Sequence, residues 1–247
     1  MATLKEIALA LTSVCTAVPP VGDGVCACCH GCPGPGYATC YNCYEVKSQL
    51  SHPCDLVVPI SLYEIPSQLH HMLRNYKSDT SPAARRDAFS IQVLSLLAYF
   101  LVNHRGCIVA SAGGKWDAIA TVPSSRPRRG EHPLVTAIRL LPWLGGQYHD
   151  VLKLGSEPVR HNSASDLGFE VTADVAGTGY LLIDDTFTTG ATAQSAASAL
   201  NLAGADVKAI VTVGRVINPK FNATVGQYWD RQHTPDALFT FERCCLE

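Results

Sequence analysis

GYLLIDDTFTTGATAQSAASAL, residues 179–200, decides how the rest of the chain is read. Leu181, Leu182 and Ile183 form an apolar run without helical spacing, the pattern of a strand buried on both faces of a parallel sheet. Two adjacent carboxylates, Asp184 and Asp185, stand where that strand is expected to end. Small and hydroxyl residues follow from Thr186 to Thr192, with Gly190 among them, and the Ala-rich run Ala193 to Leu200 reads as a helix. Open α/β sheets bind ligands at the carboxyl ends of their strands. A helix start offers free N–H groups and the positive end of its dipole, which suits a phosphate. Thr188, Thr189 and Thr192 add hydroxyl donors, and Gly190 permits close backbone approach. Carboxylates beside such an anion suit sugar hydroxyls or a hydrated Mg²⁺. The residues describe a site for a sugar 5-phosphate.

The remainder of the chain bounds this reading. Its 247 residues allow one large domain, or one domain with a small module, and 47% hydrophobic content is ample for a core. A net charge of −2 gives no global basic field for nucleic acid or membrane. Eleven cysteines are an odd count, and five of them fall between Cys26 and Cys40, with Cys43 close behind. CxxC spacing with an odd total argues for a metal rather than a disulfide framework. Residues 1–24 read as a helix and linker, in which Ile7 to Val18 faintly imitates a secretory signal, but Glu6 spoils the basic flank. No run reaches the roughly 18–20 apolar residues of a membrane span, so a cytoplasmic protein is expected.

Residues 25–50 form a Gly/Pro-rich, Cys-rich module. CHGC (Cys29 to Cys32) and CYNC (Cys40 to Cys43) supply four thiolates to one closed, structural Zn²⁺ site, with Cys26 and Cys28 as competitors for the first pair. An iron–sulfur cluster would use the same four thiolates. Tyr37, Tyr41 and Tyr44 are expected to form the module's small core, the other reading being a stacking surface for bases.

In residues 51–247, strands are expected over 55–63, 117–122 and 207–216. Helices are expected over 66–76, 81–104, 134–144 and 221–231. Arg85 and Arg86 read as a solvated face. The loop of residues 123–133 holds Ser124, Ser125, Arg126, Arg128 and Arg129, whose guanidinium forks suit pyrophosphate oxygens. Residues 155–168 lack periodicity and read as a flap from which Lys153 or Arg160 reaches the ligand.

The 179–200 stretch resembles the phosphoribosyl-pyrophosphate (PRPP) motif of type I phosphoribosyltransferases: an apolar strand, two acids, two variable residues, then Thr-Thr-Gly-x-Thr. Together with the cysteine pairs, Tyr63 followed by HHMLRNYK (70–77), and VPSSRPRRG (122–130), it resembles the ComF family of competence-associated proteins. That resemblance spans roughly residues 25–217 and falters over 153–169, where the family's Gln, Arg and Asn series survives only in trace. It implies an α/β fold with a mostly parallel central sheet flanked by helices, behind an N-terminal zinc module. It also implies Mg²⁺-dependent transfer of phosphoribose from PRPP to a nitrogen acceptor that the sequence does not identify. Residues 186–192 (Thr186, Phe187, Thr188, Thr189, Gly190, Ala191, Thr192) would hold the 5-phosphate. Asp184 and Asp185 would be the catalytic acids. A silent PRPP- or nucleotide-binding protein acting in DNA uptake is the alternative, with single-stranded DNA and a second copy of the chain as candidate partners.

Overall fold

The computed structural model describes residues 2–124 and 131–247. Four apolar runs form one parallel sheet: β1 (Val57–Tyr63), β2 (Ala118–Thr121), β5 (Gly179–Phe187) and β6 (Asp206–Val216), in the order β1-β6-β5-β2. Ile119 lies opposite Leu181, Leu182 opposite Ile210, and Pro59 opposite Thr212. Proline removes a ladder donor, and β1 tolerates Pro59 because it is an edge strand. Both edges are partly covered. The Leu62 N–H bonds the Thr16 carbonyl at 3.0 Å, and Ile119 exchanges backbone bonds with Gln147 and His149 at 2.7 and 2.8 Å.

Side chains alternate across the sheet. Val58, Ile60, Leu181, Ile183, Val211 and Val213 face one core with α1 (Leu4–Ala10), α3 (Gln68–Asn75), α4 (Ala83–Ser111), α5 (Pro133–Arg139) and α6 (Pro142–Gly145). Tyr180, Leu182, Ile210, Ala118 and Ala120 face a second core with α7 (Ala191–Leu202) and the buried cysteines. Burial on both faces explains why these strands read as continuous apolar runs. The last helix is α8 (Ala223–Arg231). The Cys-rich segment ends in α2 (Tyr41–Ser48), whose Val46 packs with Leu50 on Ala191 at the start of α7.

Several boundaries differ from expectation. The N-terminal helix is only α1, set by a Thr3–Glu6 capping box and followed by a 3₁₀ turn over Thr12–Val14. α4 runs through Gly106 to Ser111, because its packing outweighs the roughly 1 kcal/mol cost of a helical glycine. α4 is also long and apolar enough to cross a membrane by length and composition, contrary to the sequence reading. However, 56% of its most apolar window is buried inside the protein, as in a core helix. The helix expected over 134–144 is two, because Pro142 cannot donate to the preceding turn. Residues 155–168 are framed by an antiparallel pair, β3 (Leu152–Leu154) and β4 (Phe169–Val171).

Candidate anion and metal sites

β5 runs past both acids to Phe187, and the chain turns into α7 at Gly190. Gly190 is the N-cap, with φ +90° and ψ −8°. A Cβ there would stand 2.4 Å from Phe187 Cζ, so only glycine fits both the left-handed backbone and the space. No side chain caps α7 at this residue, which leaves backbone donors of its first turn for a ligand. Ala191 N–H donates to Thr189 Oγ1 at 3.3 Å. Thr188 is exposed, Thr189 buried, and Thr186 and Thr192 half-buried. Residues 186–193 line a cavity of about 400 Å³ with Asp184, Val159, Arg160 and His161. Arg160, from the segment between β3 and β4, is thus among the residues that line this cavity. Lys153 instead pairs with Glu170 at 2.8 Å on the exposed hairpin.

The two carboxylates diverge, as neighbours on a strand do. Asp184 lines the cavity and accepts the Asp185 N–H at 2.8 Å. Burial, and then the charge of Asp185, push its carboxyl up to about 7. Asp185 is buried and accepts from the Tyr76 hydroxyl and from Lys77 Nζ, the latter at 2.5 Å. Burial opposes its ionisation, but the Lys77 charge and these hydrogen bonds outweigh it and hold the carboxyl below the ordinary range. Tyr63, at the end of β1, is pushed up to about 12 mainly by burial. Of the residues expected to hold pyrophosphate, only Ser124 lies among the described residues; Ser125, Arg126, Arg128 and Arg129 lie outside them.

Cys26, Cys29, Cys40 and Cys43 form a buried cluster whose sulfurs all lie within 4.8 Å of one another. This corrects the expected ligand set: Cys26 replaces Cys32. The first CxxC pair is Cys26-Ala27-Cys28-Cys29, closed by Cys26 N–H to Gly31 carbonyl at 2.8 Å and His30 N–H to Cys26 carbonyl at 3.0 Å. His30, at φ +55°, turns the chain away after Cys29, and Cys32 Sγ faces the Pro33 and Thr224 carbonyls instead. The Cys40 N–H points at Cys26 Sγ at 3.2 Å, a contact that supports a thiolate. Four sulfur donors, closed and buried, fit a tetrahedral soft-metal site. Tyr37, Tyr41 and Tyr44 are 74%, 69% and 65% exposed, so they are a surface and not the module's core.

Sequence reasoning missed Arg215. It lies buried at the end of β6, between the cysteine cluster and the anion loop. Its Nη1 donates to the Thr188 carbonyl at 2.6 Å and the Val216 carbonyl at 2.5 Å, and the guanidinium lies 5.4 Å from the Phe187 ring centre. Burial opposes its charge, but Cys29 and Cys40 outweigh that and hold it protonated. The available signal was one arginine inside the buried run of residues 206–216. Tyr76 and Lys77 were noticed only as part of a resemblance, and their contact with Asp185 could not be read from spacing.

Fold and site define an α/β protein with a parallel sheet, a cavity at the strand ends onto which the start of α7 opens, and an N-terminal four-thiol cluster. No protein-family model matches the chain, and no curated protein matches it. Among solved structures, a phosphoribosyltransferase from Corynebacterium diphtheriae is similar over 58% of this chain and 81% of that chain, at 19% identity and a TM-score of 0.32. At that overlap the likeness bears on neither substrate nor site residues.

Proposed function

We propose that the chain is a phosphoribosyltransferase that uses PRPP with Mg²⁺ and releases pyrophosphate, the nitrogen acceptor being unidentified. The observation that carries this is the uncapped α7 N-terminus at Gly190, opening with Asp184 on one cavity. Thr186 to Thr192 would hold the 5-phosphate with backbone N–H groups and hydroxyls. Asp184 would accept from ribose hydroxyls. Asp185, fixed by Tyr76 and Lys77, would keep negative charge near the ribose as its C1 becomes cationic. Mg²⁺ would enter with PRPP, held largely through water near Asp184, and would neutralise the departing pyrophosphate. Arg126, Arg128 and Arg129 would share that task. The four-cysteine cluster would hold a structural Zn²⁺. The cysteine module and this loop together resemble the ComF family.

Binding assays separate the two loops. Arg128→Ala with Arg129→Ala should weaken PRPP at least ten-fold, since each lost charge-assisted bond is worth about 1.5–3 kcal/mol. The same change should barely alter binding of a ribonucleoside 5-monophosphate, which lacks pyrophosphate. Equal weakening of both ligands would refute the assignment of the loop. Pyrophosphate release measured across bases, amines and amides then identifies the acceptor.

One observation favours a second reading, a ligand-binding module without turnover. The exposed Tyr37, Tyr41 and Tyr44 line one concave surface with Gly34, Thr39 and Glu45, and such rings can stack on unpaired bases. Salt-sensitive binding of single-stranded DNA, lost on Tyr41→Ala and Tyr44→Ala, would support it. Absence of such binding leaves the transferase reading alone.

A further inference from the structure

Cys107, Cys244 and Glu247 do not line the cavity at residues 186–193 and have no part in the function proposed above. With His104 they form a second group whose ligand atoms all lie within 4.8 Å of one another. His104 and Cys107 are three residues apart on α4 and therefore share a face. Cys244 and Glu247 are likewise three apart, on a turn closed by the Glu247 N–H to the Cys244 carbonyl at 3.3 Å. Each pair meets the other directly. Cys107 Sγ is 2.9 Å from Glu247 Oε1 and 3.7 Å from His104 Nδ1, while His104 Nδ1 is 3.9 Å from Glu247 Oε1. Donors around one tetrahedral zinc, at bond lengths of about 2.0–2.3 Å, stand roughly 3.3–3.8 Å apart. Small side-chain movements would bring these four to that geometry.

An independent contact points the same way. His104 is 2% exposed, and its Nε2 lies 3.1 Å from the Phe241 carbonyl, which can only accept. That bond places the ring proton on Nε2 and turns the Nδ1 lone pair toward the two thiols and the carboxylate. Carbonyl support of the distal nitrogen is the usual arrangement behind a metal-bound imidazole. Two sulfurs, one imidazole nitrogen and one carboxylate exclude a Mg²⁺ or Ca²⁺ preference and suit Zn²⁺.

We infer that His104, Cys107, Cys244 and Glu247 form a second zinc site that pins the segment of residues 239–247 onto α4. All four ligands come from protein, so the site is structural. It is separate from the four-cysteine cluster and independent of what the anion loop binds. Glu247 and the half-buried Cys107 and Cys244 put the site near the surface, so its metal should exchange before that of the buried cluster.

The test is metal stoichiometry of the full chain, reloaded with Zn²⁺ under reducing conditions, and the absorption of its Co²⁺ form. Cys244→Ser and Glu247→Ala should each lose one equivalent of Zn²⁺ relative to wild type. Both should keep the intense sulfur-to-cobalt absorption of the four-thiolate cluster. Cys29→Ser, by emptying the first cluster, should leave a weaker spectrum from the two thiolates of the second site, roughly a third of the wild-type thiolate contribution. Both exchanged residues in the first two variants are at least partly exposed, so folding, checked by circular dichroism, should survive. Equal metal content in wild type and Cys244→Ser would overturn the proposal. So would a Cys107–Cys244 disulfide in protein isolated under reductant.

Discussion

Replacing Asp184 by asparagine should make the protein more stable while removing a group that the proposed reaction needs. The Asp184 carboxyl is pushed up to about 7, above its ordinary 3.8, by burial and then by the charge of the adjacent Asp185. A raised carboxyl favours the folded state only while protonated. The unfolded chain ionises near pH 4 and the folded chain near 7, so across that window the folded state binds more protons and stability falls as pH rises. Above about 7 the cost is complete. The full displacement corresponds to roughly 4 kcal/mol, and partial solvent contact reduces it to about 2–4 kcal/mol. Asparagine keeps an oxygen for the Asp185 N–H, so that hydrogen bond survives the change. For a chain of this size the gain is about 4–16 °C in melting temperature at pH 8, with little difference at pH 4. Thermal unfolding followed by circular dichroism at both pH values measures it. An asparagine variant no more stable than wild type at pH 8, or one equally shifted at pH 4, would refute the electrostatic reasoning. Under the proposed function, the same variant should bind PRPP with Mg²⁺ at least ten-fold more weakly, as calorimetry would report.

Asp185→Asn should behave oppositely. Its carboxyl is depressed by Lys77 and Tyr76, so its contribution is present at neutral pH and lost on acidification, and the variant should lose about 1–3 kcal/mol at pH 7 in urea unfolding. Gly190→Ala meets the Phe187 ring at 2.4 Å on a left-handed backbone; under the proposed function it should abolish PRPP binding in titration while leaving metal content unchanged. Cys26→Ser should lower the metal content of the buried cluster and Cys32→Ser should not, which elemental analysis distinguishes.

The strands and the strand-to-helix turn of residues 184–192 were legible because each is local. Continuous apolar runs mark strands buried on both faces, and the acid, hydroxyl and glycine demands of residues 184–192 fall within one stretch. What was not legible depends on long-range placement. Cys26 and Cys29 offer the same CxxC spacing as Cys29 and Cys32, and only the turn at His30 chooses between them. Nothing in spacing shows that Tyr76 and Lys77 meet Asp185, 109 and 108 residues away. The aromatic ring positions in the cysteine module failed for a related reason. Near a cluster of buried thiols, sulfur fills the interior that tyrosines would otherwise occupy, and the rings are left outside.

Arg215 gives this architecture a further property. Its guanidinium is buried beside sulfurs of the N-terminal segment and carbonyl oxygens of the strand-to-helix loop, so neither neighbour alone satisfies it. Removing the cysteine segment would strand a cation in the interior, and a buried cation without its counter-charge costs several kcal/mol. The residues up to 50 are therefore not a detachable ornament on a self-sufficient sheet. They and the loop that faces the cavity are tied through this one side chain, so loss of the first is expected to destabilise the second.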